Sequence, residues 1–147
     1  MTIIESVRKF IKKCPFLEEF NGAVRIGVDY LDSEATTYSI EKVPCNPIIK
    51  KYVDGSSKRQ EQFIFASRES YCEDIFNNLE NINFYEKFAE WIEQNNDEGN
   101  LPILDNKEAL SIELTSNGYA FQTDIDKAQY QIQMKLIYME GKEIKWL

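Results

Sequence analysis

The run Tyr130-Gln131-Ile132-Gln133-Met134-Lys135-Leu136 alternates apolar and polar side chains with a period of two. That pattern fits a half-buried β-strand and no helix. One such strand is not stable alone; it needs neighbours on both sides and something apolar on its buried face. The chain supplies candidates. Ser111 to Thr115 and Tyr119 to Thr123 flank a Ser116-Asn117-Gly118 turn, and the alternating segment itself extends from Ala128 to Met139. Further upstream, Val24 to Tyr30 alternates, Leu31-Asp32-Ser33-Glu34 reads as a turn, and Thr36 to Val43 is rich in β-branched and aromatic residues. Pro44 and Pro47 bracket Cys45-Asn46 and interrupt any ladder there, because proline offers no N–H. Ile48 to Val53 and Glu61 to Arg68 follow, joined by Asp54-Gly55-Ser56-Ser57, where Asp-Gly signals a hairpin with positive φ at both turn positions.

Helical periodicity appears in two places. Thr2 and Glu5 form a T-x-x-E capping box ahead of a stripe of Ile3, Ile4, Val7, Phe10 and Ile11. Pro15 stops that helix, with Lys12 and Lys13 in its last turn. In the middle of the chain, Cys72 to Leu79 reads as a short helix. Phe84 to Asn95 reads as a second one, with Phe84, Phe88, Trp91 and Ile92 on one face and an exit loop running to Pro102. The expected order is therefore α-β-β-β-β-α-α-β-β-β. Short turns between strands favour antiparallel pairing, so the expected class is α+β, a mostly antiparallel sheet with helices packed on one face. With 147 residues and neither repeat nor linker, a single domain over residues 1–147 is expected.

Composition removes whole classes of chemistry. The chain has no histidine, so no Ser-His-Asp or Cys-His nucleophile system and no histidine-bearing zinc site can be assembled from it. Seventeen basic against twenty-five acidic residues leave a net charge of −8, which opposes general binding to nucleic-acid phosphates. The three cysteines, Cys14, Cys45 and Cys72, have no metal-motif spacing and read as reduced thiols. The amphipathic opening is interrupted by Glu5 and Arg8, unlike a signal peptide, and no apolar run reaches membrane-spanning length. A soluble intracellular protein with no membrane partner is expected.

Residual catalytic candidates all have plainer readings. Ser56-Ser57-Lys58 has the ingredients of a Ser-Lys nucleophile, but a lysine after a hairpin turn stays solvated and protonated. Gln122, Asp124 and Asp126 resemble half of an oxygen-ligand site, yet the glycine and distal glutamate of a calcium loop are missing. The carboxylate pairs Glu18 with Glu19, Asp29 with Asp32 and Glu73 with Asp74 define no cleft. Neither a phosphate-binding loop nor a dinucleotide fingerprint is present. No enzymatic activity, cofactor or metal is expected. Phe63, Phe65, Tyr71, Phe76, Phe84, Tyr85, Phe88 and Trp91 crowd the middle third, and core is preferred over a subunit interface for them.

Several stretches, taken in order, carry a resemblance. They are Phe10-Ile11-Lys12-Lys13-Cys14-Pro15-Phe16-Leu17, Val28-Asp29-Tyr30-Leu31, Tyr38-Ser39-Ile40-Glu41, the run from Pro47 to Ser57, Phe65-Ala66-Ser67-Arg68-Glu69, Phe84 to Ile92, and Tyr130-Gln131-Ile132-Gln133. Spanning about Phe10 to Tyr138, they resemble a family of small tailed-bacteriophage minor capsid proteins from prophages of Gram-positive bacteria. That family is in turn similar to the tail terminators of phages with long flexible tails. The resemblance implies a tail-terminator-like form of that α+β fold and a mechanical role: a ring subunit, hexameric in such proteins, that caps the tail tube and docks the head connector. It implies partners in the tail tube protein and head connector proteins, a location in the virion and in the host bacterial cytoplasm during assembly, and no catalytic residues. A closed ring uses two different patches on each subunit. The basic hairpin with Lys50, Lys51, Lys58 and Arg59 is the candidate for one, and the acidic helix bearing Glu86, Glu90 and Glu93 for the other. The alternative from another class is a phage-encoded, soluble, host-directed binding module without catalytic activity.

Overall fold

The computed structural model describes residues 2–17, 24–29, 31, 37–70, 75–123 and 127–141, with the side chains of 70 and 75–77 left aside. In chain order the elements are α1 (Ile3–Ile11), β1 (Ile26–Val28), β2 (Thr37–Val43), β3 (Ile48–Lys51), β4 (Ser57–Ser70), α2 (Ile75–Glu98), β5 (Lys107–Leu114), β6 (Tyr119–Thr123) and β7 (Lys127–Glu140). This is a mixed α+β fold built on a mostly antiparallel, seven-stranded sheet.

Two strands of 14 residues each carry the sheet. β4 and β7 pair antiparallel along their full length, from Ser57 opposite Glu140 to Ser70 opposite Lys127. Each has its outer edge shared by two short strands. β2 pairs with β4 residues Gln62–Arg68, and β3 with Ser57–Arg59. On the other side, β5 pairs with β7 from Met134 to Glu140, and β6 from Ala128 to Gln131.

Register sorts the side chains. Phe65 lies opposite Ile132 and Phe63 opposite Met134, so these four share one face, joined across the sheet by Ile40 and Ile112. All are essentially inaccessible to water. Val7 and Ile11 of α1 and Phe88 and Ile92 of α2 complete the same cluster. Phe88 stacks on Phe65 with ring centroids 4.6 Å apart, and Phe10 of α1 meets Trp91 of α2 at 5.1 Å. Each fully buried side chain of this size contributes roughly 1.5–3 kcal/mol relative to exposure.

α1 begins as its sequence predicts, with the Thr2 hydroxyl accepting the Glu5 N–H at 3.1 Å. It ends at Ile11 with Lys12 as its cap, so Lys12 and Lys13 fall just beyond the last turn rather than within it.

Four expectations need correction. The two middle helices are one helix of 24 residues, α2, and the element order has a single α between β4 and β5. No glycine or proline breaks the backbone from Cys72 to Glu98. The apparent gap at Asn81-Ile82-Asn83 is a change of face, not of conformation. α2 also runs past Asn95 to Glu98. There Gly99 takes φ +76°, its N–H reaches the Asn96 carbonyl at 3.2 Å, and the Asn100 N–H reaches Asn95 at 2.8 Å, which satisfies the last carbonyls. Third, β1 pairs with β2 in parallel, not antiparallel. Asp29 terminates that pair in a left-handed conformation, φ 53°, where its carboxylate accepts the Lys42 N–H at 3.0 Å. Most of the expected Leu31–Glu34 turn lies outside the described residues. Fourth, Ser116-Asn117-Gly118 does not turn one strand back onto its predecessor: β5 and β6 run the same way along β7 and do not pair with each other.

Candidate functional site

The basic set sits on a hairpin. Val53-Asp54-Gly55 forms its loop, closed by the Gly55 N–H to the Tyr52 carbonyl (3.1 Å) and the Tyr52 N–H to the Ser56 carbonyl (2.9 Å). Only Gly55 takes positive φ, at 89°, so this is a three-residue loop with glycine in the left-handed position rather than a two-residue Asp-Gly turn. The Asp54 carboxylate accepts both the Ser56 N–H (2.9 Å) and its hydroxyl (2.6 Å), which holds the carboxyl below its ordinary pKa. Lys50 stands opposite Lys58 in the ladder, and its ammonium lies 5.3 Å from the Tyr52 ring centroid. Among the described residues, Lys50, Lys51 and Lys58 have no ion-pair partner. Arg59 differs. Its Nε donates to the Ser57 hydroxyl at 2.9 Å and lies 2.8 Å from a Glu140 oxygen, with the Lys107 ammonium 3.9 Å from the other oxygen.

That arrangement also settles how Ser57 and Lys58 relate. Adjacent strand residues project to opposite faces, and the Ser57 hydroxyl is engaged by Arg59, so Ser57 and Lys58 form no nucleophile–base pair.

The acidic set lies on α2. Glu86, Glu90 and Glu93 fall at i, i+4 and i+7 on an exposed stripe, while Tyr85, Phe88 and Ile92 are buried against the sheet. Among the described residues no ion pair joins these glutamates to the hairpin lysines. The structure places the two sets on separate surfaces of one chain.

Beside the acidic stripe is a groove that sequence reasoning missed. Its far wall is the break between β5 and β6. The Thr115 N–H reaches the Gln133 carbonyl at 2.8 Å, then the Ser116 hydroxyl accepts the Gln133 N–H at 2.9 Å, and pairing resumes at Tyr119 opposite Gln131. Residues 115–118 bow outward and bring Gly118 against α2. A Cβ on Gly118 would stand 2.4 Å from the Tyr85 Cβ, so only glycine fits without displacement. Tyr85 itself is anchored: its O–H donates to the Tyr130 carbonyl at 3.0 Å and the Ser67 hydroxyl is 2.6 Å away. Burial pushes this phenol well above its ordinary pKa. The resulting groove, about 710 Å3, is lined by Ile82, Glu86, Ala89, Glu93, Thr115 and Asn117 among others. Its sequence signals were Ile82, apolar on the wrong side of the helix, and Gly118, readable only as a turn residue.

The remaining candidates are quickly placed. Gln122 is exposed on β6, while Glu18, Glu19, Asp32, Tyr71, Cys72, Glu73, Asp74, Asp124 and Asp126 lie outside the described residues. Among the described residues no cluster of three or more Cys, Asp or Glu side chains is arranged to hold a metal ion. Cys14 and Cys45 are free thiols, and burial raises the Cys14 pKa. Phe63, Phe65, Tyr85 and Phe88 are core, with Phe84 and Trp91 half-buried against it. Among the described residues no helix is long and apolar enough to cross a membrane. A scan against protein-family models finds no match to the chain, and a search of curated proteins finds none either.

Proposed function

We propose that the chain is a virion structural protein, a tail terminator or head–tail joining ring subunit that caps the tail tube and docks the head connector. The observation that carries this reading is the ordered series of family-like stretches from Phe10 to Tyr138. Three further features support it. The sheet and its helices form a mostly antiparallel α+β unit, a class that suits an assembly part. Among the described residues, Lys50, Lys51 and Lys58 on the hairpin and Glu86, Glu90 and Glu93 on α2 have no ion-pair partner and lie on different elements of the same chain, which suits a head-to-tail contact between identical subunits. The net charge of −8 suits a ring through which DNA must slide rather than stick.

The reading is tested by deleting the gene from the phage that encodes it and imaging the lysate by electron microscopy. Overlong or unjoined tails beside DNA-filled heads are expected. Normal infectious particles would overturn it and favour the host-directed binding module.

A further inference from the structure

Resting on the ring-subunit reading, we infer that the hairpin tip of one copy seats in the groove between α2 and residues 114–118 of the next copy. The tip is unusually apolar for its position. Val53 at the apex is completely exposed, and Ile49 and Tyr52 behind it are 44% and 38% exposed. Lys50, Lys51 and Lys58 surround them. The groove has the complementary make-up: Ile82, 46% exposed, and Ala89 form its floor, with Glu86 and Glu93 at its rim and Glu90 on the same stripe. Its volume of about 710 Å3 is ample for two side chains.

The occupant is a second copy because register forbids the first. The groove wall is tied to Gln133, which stands opposite Ile64, whereas the hairpin leaves the sheet at Ser57. Seven residues of strand separate these levels, about 23 Å at the ordinary rise, and the tip lies further out still. No chain can fill its own groove. Tip and groove are different patches, so the contact propagates head to tail and closes into a ring when the rotation per subunit allows. Each exposed charge pair contributes little alone, but the tip lysines facing Glu86 and Glu93 fix orientation and speed encounter.

Two variants break opposite halves of the contact. The first is Val53→Ser with Lys58→Ser, which adds no acid to the tip that could pair with a basic groove; the second is Glu86→Lys with Glu93→Lys. Analytical ultracentrifugation should show each variant alone as a monomer under conditions where the unaltered chain assembles. An equimolar mixture should give one-to-one dimers and nothing larger, since only one tip and one groove remain functional. Matching melting temperatures verify the fold. Unimpaired assembly by either variant overturns the docking, as does a mixture that stays monomeric while the unaltered chain assembles. If the unaltered chain sediments as a monomer, Val53→Cys is mixed with Asn117→Cys under mild oxidation. A heterodimeric disulfide, in excess over either homodimer and located by peptide mass, is expected. Its absence overturns the docking whatever the particles look like. Normal particles after gene deletion overturn the ring reading separately, without touching the cross-link.

Discussion

Both outer edges of the β4–β7 pair are interrupted, but by opposite means. Between β2 and β3, Pro44 and Pro47 deny the ladder its N–H donors, and the segment stays at the surface. Among the described residues its hydrogen bonds run to the adjoining strands: Gln60 donates its backbone N–H to the Pro47 carbonyl at 2.9 Å and its side-chain amide to the Asn46 carbonyl at 2.8 Å, and the Asn46 side-chain oxygen accepts the Ile48 N–H at 3.2 Å. Between β5 and β6 no proline intervenes. Four residues bow out, the Ser116 hydroxyl stands in for a strand carbonyl, and Gly118 presses on Tyr85. The first break is written in local covalent chemistry. The second exists because a helix, distant in sequence, anchors the loop from behind.

A break held by tertiary contact should be intolerant, and one held by proline tolerant. Gly118→Ala should therefore have the largest effect, about 3 kcal/mol in urea unfolding, because its Cβ collides with the fixed base of Tyr85 rather than a flexible tip. A cost equal to that of a proline substitution would erase the distinction.

Tyr85→Phe comes next, at about 2 kcal/mol, because it leaves the Tyr130 carbonyl and the Ser67 hydroxyl without their buried partner. It also sharpens the comparison through pH. The folded-state phenol titrates above the unfolded one, so stability is intact below pH 10.0, where both states hold the proton, and falls as pH rises from there towards the raised value. The variant should show a shallower alkaline decline. It should not be flat, because burial and the nearby Glu61 and Glu140 carboxylates also raise Tyr138. An unchanged slope would mean Tyr85 is not the anchor.

At the other edge the effects shrink. Gln60→Ala should cost about 1 kcal/mol, by releasing the Asn46 carbonyl to water. Pro44→Ala should cost about 0.5 kcal/mol, mostly through the freer unfolded chain. Thermal melts of the two variants rank them, and a larger loss at Pro44 would make that break the structural one.

The same contrast explains what could be read in the sequence. α1, β6 and β7 were legible because caps and strict alternation are local signals, and the structure adds only a residue at each end of β7. The α+β class followed from them. α2 was read as two helices because Leu79 and Ile82, 52% and 46% exposed, spoil the apolar stripe of a helix that is otherwise continuous. The residue that obscured the helix is the one that floors the groove. The parallel β1–β2 pairing and the role of Gly118 were invisible, since both depend on what lies across space rather than along the chain. Of the candidate surface residues, Lys50, Lys51, Lys58, Glu86, Glu90 and Glu93 are placed without ion-pair partners among the described residues, and Arg59 is taken up by Glu140.

The full-length pairing of β4 with β7 has a consequence for how the protein is made. α2, β5 and β6 all lie between those strands in the chain, so β4 leaves the ribosome long before its central neighbour exists. At ordinary elongation rates the wait is on the order of several seconds. During it, Phe63 and Phe65 and a bare strand edge face water, with the short strands β2 and β3 paired along the other edge. A ribosome stalled before Lys127 displays a chain with edges but no middle, and that is when a chaperone has most to protect.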